Sequence, residues 1–249
     1  RDAPRTADHP ESAWHLPRSC PPAMGALGTS PRYRARTTRL TRHAGAAAGR
    51  ALLKVMDKVD RFIGLMSGTS LDGVDAILAD LTGGKFRMAA HHFLPYDEGL
   101  RLQLLGLHDS RAGELHDAAM MSNRLAQLYA KAVTELLRNT DVKSSAIRAI
   151  GCHGQTVRHR PELGYTLQLG NSALLAELTG IDVISDFRSR DIAAGGQGAP
   201  LVPAFHQAVF SHPQKHRVIV NIGGIANITD LAPGGKILGF DTGPGNILL

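Results

Sequence analysis

Short apolar runs separated by glycine-rich turns form the first regular pattern of the chain, starting about a quarter of the way along it. The run 62–66 is typical of a buried strand, 74–80 partly alternates between apolar and polar positions, and 86–93 has the composition of a third strand. Turn residues at 67–73 and 82–84 separate the three segments. The pattern therefore predicts a β-meander of adjacent antiparallel strands.

Helical spacing follows. Apolar residues recur every three or four positions through 112–138, which predicts a long helix whose apolar stripe belongs to the core, and 99–107 predicts a shorter helix. Beyond these we expect strands at 147–152, 165–169, 183–186 and 218–222, helices at 172–179 (capped by Asn171) and 202–210, and a hairpin of 227–231 with 236–240. This succession predicts an α/β fold with a mixed β-sheet and flanking helices, without an internal repeat.

The first 55 residues lack this periodicity and are rich in Pro, Arg, Ser, Thr and Ala. Such a segment buries too little apolar area to offset the conformational entropy lost on folding. We therefore expect residues 1–55 to be a disordered or non-native extension, with the folded part starting near Met56. A transit peptide or a nucleic-acid-binding arm stays open, because seven arginines and no acidic residue lie between Ser12 and Met56.

The net charge of +6 is confined to the first 60 residues. Residues 1–60 hold 11 Lys+Arg against 5 Asp+Glu, whereas residues 61–249 hold 17 of each. A neutral folded part does not favour nucleic acid as a partner. Two cysteines, Cys20 and Cys152, are too few for a disulfide scaffold or a Cys-type zinc site, which favours a reducing, cytoplasmic compartment. No apolar run is long enough to span a membrane, so we expect no membrane partner.

A first polar cluster, Gly68–Gly73, connects the first two predicted strands. Glycine permits close approach of a ligand to the backbone, and the hydroxyls of Thr69 and Ser70 can donate to phosphate oxygens. The lysine of a Walker loop is absent, and a strand rather than a helix follows. An ordinary hairpin is therefore an equal alternative.

Two further clusters follow predicted strands, where α/β folds place ligand sites. The first, Cys152–His159, is expected to be a loop, and its two histidines are six residues apart, which is not a metal-binding spacing. The second, Asp186–Asp191, contains Arg188 and Arg190, which can bind a carboxylate or a phosphate. A structural histidine and a solvated Arg–Asp network are the alternatives.

The last cluster is Gly239–Asn246, in which Asp241 leaves a predicted strand and enters a glycine-rich turn. In phosphotransferases such an aspartate can position a hydroxyl, a water nucleophile or a metal ion. Asp-Thr-Gly also occurs in aspartic proteases, but these need a second such motif, and the chain has no other. An aspartate that only caps its own turn is the structural alternative.

Together and in this order, these motifs resemble those of the anhydro-N-acetylmuramic acid kinase family. The matching stretches are Phe62–Asp75, Ile150–His159, Asp186–His206, Val220–Asn227 and Gly239–Asn246. The resemblance covers about residues 58–249. It implies an actin-like ATPase lobe of ribonuclease H-like topology, with the active site between two α/β lobes.

The resemblance also implies a reaction. Water opens the anhydro ring of 1,6-anhydro-N-acetylmuramic acid, and ATP phosphorylates O6 to give N-acetylmuramic acid 6-phosphate, in peptidoglycan recycling and amino sugar catabolism. Asp241 would be the catalytic base that deprotonates the water. The implied ATP contacts are Gly68, Thr69, Ser70, Leu71, Asp72, Gly73, Val74 and Asp75. The implied sugar and lactyl-carboxylate contacts are His153, Gln155, Thr156, Arg188 and Arg190. Mg²⁺ would bridge the phosphates, and no dedicated protein metal site is expected.

Members of this family are longer than the chain, so we expect 56–249 to be an N-terminal lobe that is followed by a second lobe and is inactive alone. ATP and the anhydro sugar are the expected partners, and a homodimer is left open. Two other classes of function remain. A non-catalytic ATP-binding or regulatory module has no need of a base at Asp241, and a nucleic-acid-binding protein would rest on residues 1–55 alone.

Overall fold

A computed structural model describes residues 60–245. The expectations for residues 1–55, and for Asn246 in the last motif, lie outside these described residues. Within them, no helix is both long enough and apolar enough to cross a membrane.

The elements alternate along the chain in the manner of an α/β fold. In order they are β1 (Arg61–Met66), β2 (Gly73–Asp80), β3 (Arg87–Pro95), α1 (Glu98–Leu105), α2 (Glu114–Arg138), β4 (Ile147–Cys152), β5 (Gln155–Arg160), β6 (Tyr165–Leu169), α3 (Ser172–Thr179), β7 (Val183–Ser185), α4 (Phe187–Ala193), α5 (Pro203–Phe210), β8 (Arg217–Ile222), β9 (Ile225–Leu231) and β10 (Leu238–Pro244).

A five-stranded mixed sheet with the order β3-β2-β1-β4-β7 organises the fold. β1 pairs antiparallel with β2, and β2 with β3, which confirms the predicted meander. β4 runs parallel to both β1 and β7. The carboxyl ends of β1, β4 and β7 therefore lie at the same edge of the sheet, the usual place for a ligand site in α/β folds.

Helix α2 packs on this sheet and supplies much of the core. Its buried residues include Leu125, Tyr129, Val133 and Leu136, at three- and four-residue spacing, so the predicted apolar stripe is core. The predicted cap of α3 is also present, because the Asn171 side chain accepts a hydrogen bond from the Leu174 N–H.

Two elements differ from the expectation. Residues 155–160 form strand β5 rather than a loop, paired with β6 around Gly164, whose φ is 78°. Only Gln155 and Val157 are buried on β5, so no apolar run marks the strand. Residues 187–193 form α4, whose seven residues are too few and too polar to show a helical stripe.

A second meander, β8-β9-β10, forms a separate three-stranded antiparallel sheet. Helix α5 packs on one face, where His206 Nδ1 and Thr229 Oγ1 are 2.9 Å apart and a Cβ on Gly239 would lie 2.4 Å from Pro203 Cγ. Large apolar side chains remain exposed elsewhere on this sheet: Val218, Val220, Ile222, Leu238 and Phe240. Pairing of Val220 and Phe240 with the same residue, Ile228, puts these two side chains on one face.

Candidate active site

A pocket of about 310 Å³ lies where the ends of β1 and β4 face the β8-β9-β10 sheet. Its lining consists of Met66, Ser67, Gly68, Thr69, Ser70, His153, Thr156, His159, Arg188, Ala199, Pro200, Leu201, Val202, Asn221, Gly223, Gly224, Ile225, Asn227 and Asp241. Residues from all four predicted polar clusters therefore meet here. A larger pocket of about 640 Å³, between α1 and α2, contains no predicted site residue.

The turn from β1 to β2 carries the first cluster into the pocket. Ser70 Oγ donates to Asp72 Oδ1 (2.7 Å), and the Asp72 carbonyl accepts from the Tyr96 N–H (2.9 Å). A Cβ on Gly68 would meet nothing nearer than Ser70 Oγ at 3.6 Å. The surrounding protein thus has room for a side chain at Gly68, and glycine there keeps part of the pocket open to a ligand.

The remaining predicted ATP contacts on this turn and on β2 do not line the pocket. The side chains of Leu71 and Val74 are buried in the core. A Cβ on Gly73 would lie 2.5 Å from the Leu94 carbonyl oxygen, so this glycine permits β2 to pack on β3. Asp75 pairs with His91 on β3 at 2.7 Å. Asp72 makes the hydrogen bonds that hold the turn, and Ser70 is the last residue of this segment that lines the pocket.

Two reciprocal hydrogen bonds join this turn to the turn after β4. Ser67 Oγ donates to the Gly154 carbonyl (3.2 Å), and Gln155 Nε2 donates to the Gly68 carbonyl (3.0 Å). Ser67 Oγ is also 2.8 Å from Tyr129 OH on α2. Gln155 is 0% exposed and is not part of the pocket lining, and its side chain donates to the Gly68 carbonyl instead.

Three of the predicted sugar contacts, His153, Thr156 and Arg188, do line the pocket. Arg188 Nε donates to His153 Nε2 at 2.9 Å, and Arg188 Nη1 donates to the Gly198 carbonyl. Arg190 is exposed on α4, outside the lining. The structure thus separates the two arginines that the sequence offered as equivalent.

Asp241 reaches the pocket from β10. The pairing of β9 with β10 is irregular between Asp241 and Gly243, and such an irregularity can redirect side chains. Asp241 is exposed, and no hydrogen bond formed among residues 60–245 ends on its carboxylate. Within the described residues, the carboxylate does not cap its own turn.

Two asparagines that sequence reasoning did not single out lie level with Asp241. Asn227 on β9 pairs with Asn221 on β8 and with Asp241 on β10, and all three residues line the pocket. Residues paired across adjacent strands point to the same face of a sheet. Only the strand register reveals this row, because the three residues are separated by irregular intervals in the sequence. His159 on β5 is a further lining residue without an assigned role.

Burial and charge shift the titration of the basic groups here. Burial, and then the charge of Arg188, lower the pKa of His153 and of His159 below the ordinary histidine value. Burial also lowers the pKa of Arg188. The charge of Asp241 opposes the shifts of Arg188 and His159, so these three groups share one electrostatic environment.

Within residues 60–245, no group of three or more His, Cys, Asp or Glu side chains is arranged to hold a metal ion. The pocket does contain oxygen donors, among them the hydroxyls of Thr69 and Ser70 and the carboxylate of Asp241. Oxygen donors suit Mg²⁺, which keeps several water ligands and binds substrate phosphates rather than a protein cage. The residues therefore fit a magnesium–nucleotide complex.

Comparison with known proteins identifies close relatives. A family model described as anhydro-N-acetylmuramic acid kinase matches residues 60–249. The anhydro-N-acetylmuramic acid kinase of Thiobacillus denitrificans is 62% identical over 193 residues, covering 77% of this chain and 51% of that protein. One from Neisseria gonorrhoeae is 55% identical over 198 residues, covering 79% of this chain and 53% of that protein. The chain spans about half the length of the curated relatives it matches.

Among solved structures, the Ppx/GppA family member of Aquifex aeolicus aligns with a TM-score of 0.36 and 11% identity, covering 76% of this chain and 53% of that chain. The α/β fold class follows from the strand order of the mixed sheet and its flanking helices.

Proposed function

The chain belongs to the anhydro-N-acetylmuramic acid kinase family, and on that premise we propose that the full-length protein is an ATP-dependent kinase of 1,6-anhydro-N-acetylmuramic acid. The product is N-acetylmuramic acid 6-phosphate, in peptidoglycan recycling and amino sugar catabolism. One observation carries the proposal. An exposed carboxylate with no hydrogen bond among the described residues, Asp241, lines the same pocket as the glycine-rich turn at Gly68.

Asp241 acts as the general base in this proposal. It takes a proton from water as the water oxygen bonds to C1 of the sugar, and the C1–O6 bond breaks with its electron pair left on O6. O6 then attacks the γ-phosphorus of ATP, the bond to the bridging oxygen breaks, and ADP leaves. A carboxylate without competing protein donors is free to orient the water, which supports this role.

The turn at Gly68 holds the phosphates. Gly68 leaves space for close backbone approach, and the hydroxyls of Thr69 and Ser70 are available to phosphate oxygens. Mg²⁺, when bound, would neutralise phosphate charge, and Thr69, Ser70 and Asp241 are the residues whose oxygens would hold it.

The sugar occupies the side of the pocket lined by Thr156 and Arg188. Arg188 binds the lactyl carboxylate, for which a guanidinium is well suited. In the full-length protein, the region that corresponds to the unmatched half of the relatives supplies the rest of the cleft, and activity requires this region. The protein acts in the cytoplasm, and a homodimer is compatible with this function.

Substrate-dependent turnover of the full-length protein tests the proposal. We expect ATP consumption only when the anhydro sugar is present, with N-acetylmuramic acid 6-phosphate identified by mass spectrometry. In H₂¹⁸O, a quenched single turnover should place the label on C1 and leave the phosphate unlabelled. Binding of ATP without any sugar-dependent turnover would instead favour a non-catalytic ATP-binding module.

A further inference from the structure

Both ring nitrogens of His153 are engaged within the protein. Nδ1 is 2.6 Å from the Gly154 carbonyl oxygen, and Nε2 is 2.9 Å from Arg188 Nε. A carbonyl only accepts and a guanidinium only donates, so Nδ1 must carry the proton and Nε2 must be the acceptor. The neutral Nδ1–H tautomer is the only form of His153 that satisfies both partners.

Arg188 is held on two sides. Its Nε is bonded to His153, and its Nη1 to the Gly198 carbonyl. The Gly198 N–H in turn donates to Asp191 Oδ2 at 2.7 Å, which fixes the loop that carries this carbonyl. No hydrogen bond formed among residues 60–245 uses Nη2, so its two N–H groups are left for a ligand in the pocket.

We propose that His153 is a positioning residue, which holds the Arg188 guanidinium in the orientation that binds the carboxylate of the substrate. This inference rests on the proposed function for the identity of that anion. It replaces the expected direct contact of His153 with the sugar, because neither of its ring nitrogens is left to make one.

The acceptor at Nε2 exists only while His153 is neutral. The titratable or charged groups that line pockets with His153 or flank it are Arg188 on α4, Cys152 on β4, His159 on β5, Asp186 before α4 and Asp241 on β10.

Burial and the Arg188 charge lower the pKa of His153, so the neutral form of His153 is present at neutral pH and is lost on the acid side. Protonation puts an N–H against the Arg188 N–H and frees the guanidinium. The KM for the sugar should therefore rise as the pH falls.

Two variants of the full-length protein separate the two bonds of His153. His153→Gln places an amide oxygen near the position of Nε2, so it can still accept from Arg188. His153→Asn is shorter and can reach only the Gly154 carbonyl. We expect His153→Asn to raise the KM for the anhydro sugar about 10- to 100-fold, the equivalent of one lost charged hydrogen bond, with kcat and the KM for ATP changed far less. His153→Gln should stay within about threefold and lose the acid-side rise in KM.

Equal effects of the two variants on KM, or an unchanged acid-side rise in His153→Gln, would overturn the positioning role. A separate measurement needs no turnover. Ring ¹⁵N shifts of His153 in the wild-type chain at neutral pH should report the Nδ1–H tautomer, and the Arg188 Nε–H should exchange faster in His153→Asn than in His153→Gln. The other tautomer, or equal exchange, contradicts the inference even if the wild type proves inactive on the sugar. Inactivity alone would overturn only the proposed function.

Discussion

The two meanders of the molecule, β1-β2-β3 and β8-β9-β10, both run antiparallel in chain order, but they differ in how their apolar side chains are covered. In the first, the alternating residues Val74, Ala76 and Leu78 are buried in the core that α2 helps to form. In the second, Val220 is 62% exposed and Phe240 is 50% exposed.

The pocket has a first wall, formed by the turns after β1 and β4, and a second wall, formed by the β8-β9-β10 sheet, and the two walls differ in a similar way. Buried side chains, Ser67 and Gln155, join the turns of the first wall to each other. On the second wall, the Asp241 carboxylate accepts no hydrogen bond from residues 60–245. The turns of the first wall are thus joined by hydrogen bonds within this chain, whereas the second wall presents the exposed Asp241 carboxylate, and the opposite face of its sheet carries the uncovered apolar side chains. The difference predicts that substitution of the buried Ser67 or Gln155 costs stability, whereas substitution of the exposed Asp241 costs little stability.

The largest effect is expected at Asp241 and should be confined to activity. Asp241→Asn keeps the size of the side chain but removes its charge and its ability to take a proton. In the full-length protein, kcat should fall by about 10²–10⁴, whereas thermal stability and ATP affinity should change little. A stable variant that keeps more than about a tenth of the wild-type kcat would exclude Asp241 as the base.

The second-largest effect is expected for a substitution of Leu125 and concerns the stability of the chain alone. Leu125 on α2 is 0% exposed and lies in the core. Leu125→Ala leaves a cavity and should lower the free energy of unfolding by about 2–5 kcal/mol, measured by urea titration of the chain. The same substitution at Leu115, which is 84% exposed, is the control and should change it by less than about 0.5 kcal/mol.

Gln155 should show a smaller effect on both quantities. Gln155→Leu removes the donor to the Gly68 carbonyl and leaves that oxygen without this partner. We expect a loss of about 1–3 kcal/mol in unfolding free energy, together with weaker ATP binding in the full-length protein, because Gly68 is no longer held. Calorimetry measures both. Weaker sugar binding with unchanged stability would instead restore Gln155 as a substrate contact.

The smallest effect compares one substitution in the two meanders. Val74→Thr buries a hydroxyl in the core and should destabilise the chain by about 1–3 kcal/mol. Val220→Thr alters an exposed position and should stay within about 0.5 kcal/mol. In the full-length protein, Val220→Thr should become more costly if the remaining sequence covers this face. Equal values in both proteins would mean that the face stays exposed.

Most of the fold follows from periodicity, since the apolar stripe of α2 and the alternation of the first meander are strong local signals. The strand β5 and the helix α4 escaped prediction because neither has an apolar run. Their structure depends on partners: β5 pairs with β6, and the residues of α4 bind His153 and Gly198. Such contacts join residues far apart in the chain and leave no local pattern.

The candidate site was only partly predictable for a related reason. A motif such as 68–75 mixes residues that face the pocket with residues that face the core, and the backbone geometry decides which is which. Gly68 and Ser70 thus line the pocket, whereas Val74 does not. The row that joins Asn221 and Asn227 to Asp241 needed the strand register. His153 and Gln155 were found by their motif, but their hydrogen bonds to Arg188 and to the Gly68 carbonyl could not be read from the sequence.

The position of β1 in its sheet has a consequence for synthesis of the chain. β1 pairs with the next strand, β2, but its other neighbour is β4, so Ile63 cannot pair with Ile150 until β4 has been synthesised. Closing this long loop adds entropy cost that local hairpins do not have. Chains emerge from the ribosome N-terminus first, so the meander and α2 can form before the sheet closes, and Asp241 arrives later still. The pocket can therefore be completed only after β10 has been synthesised, when the turn at Gly68 is already in place.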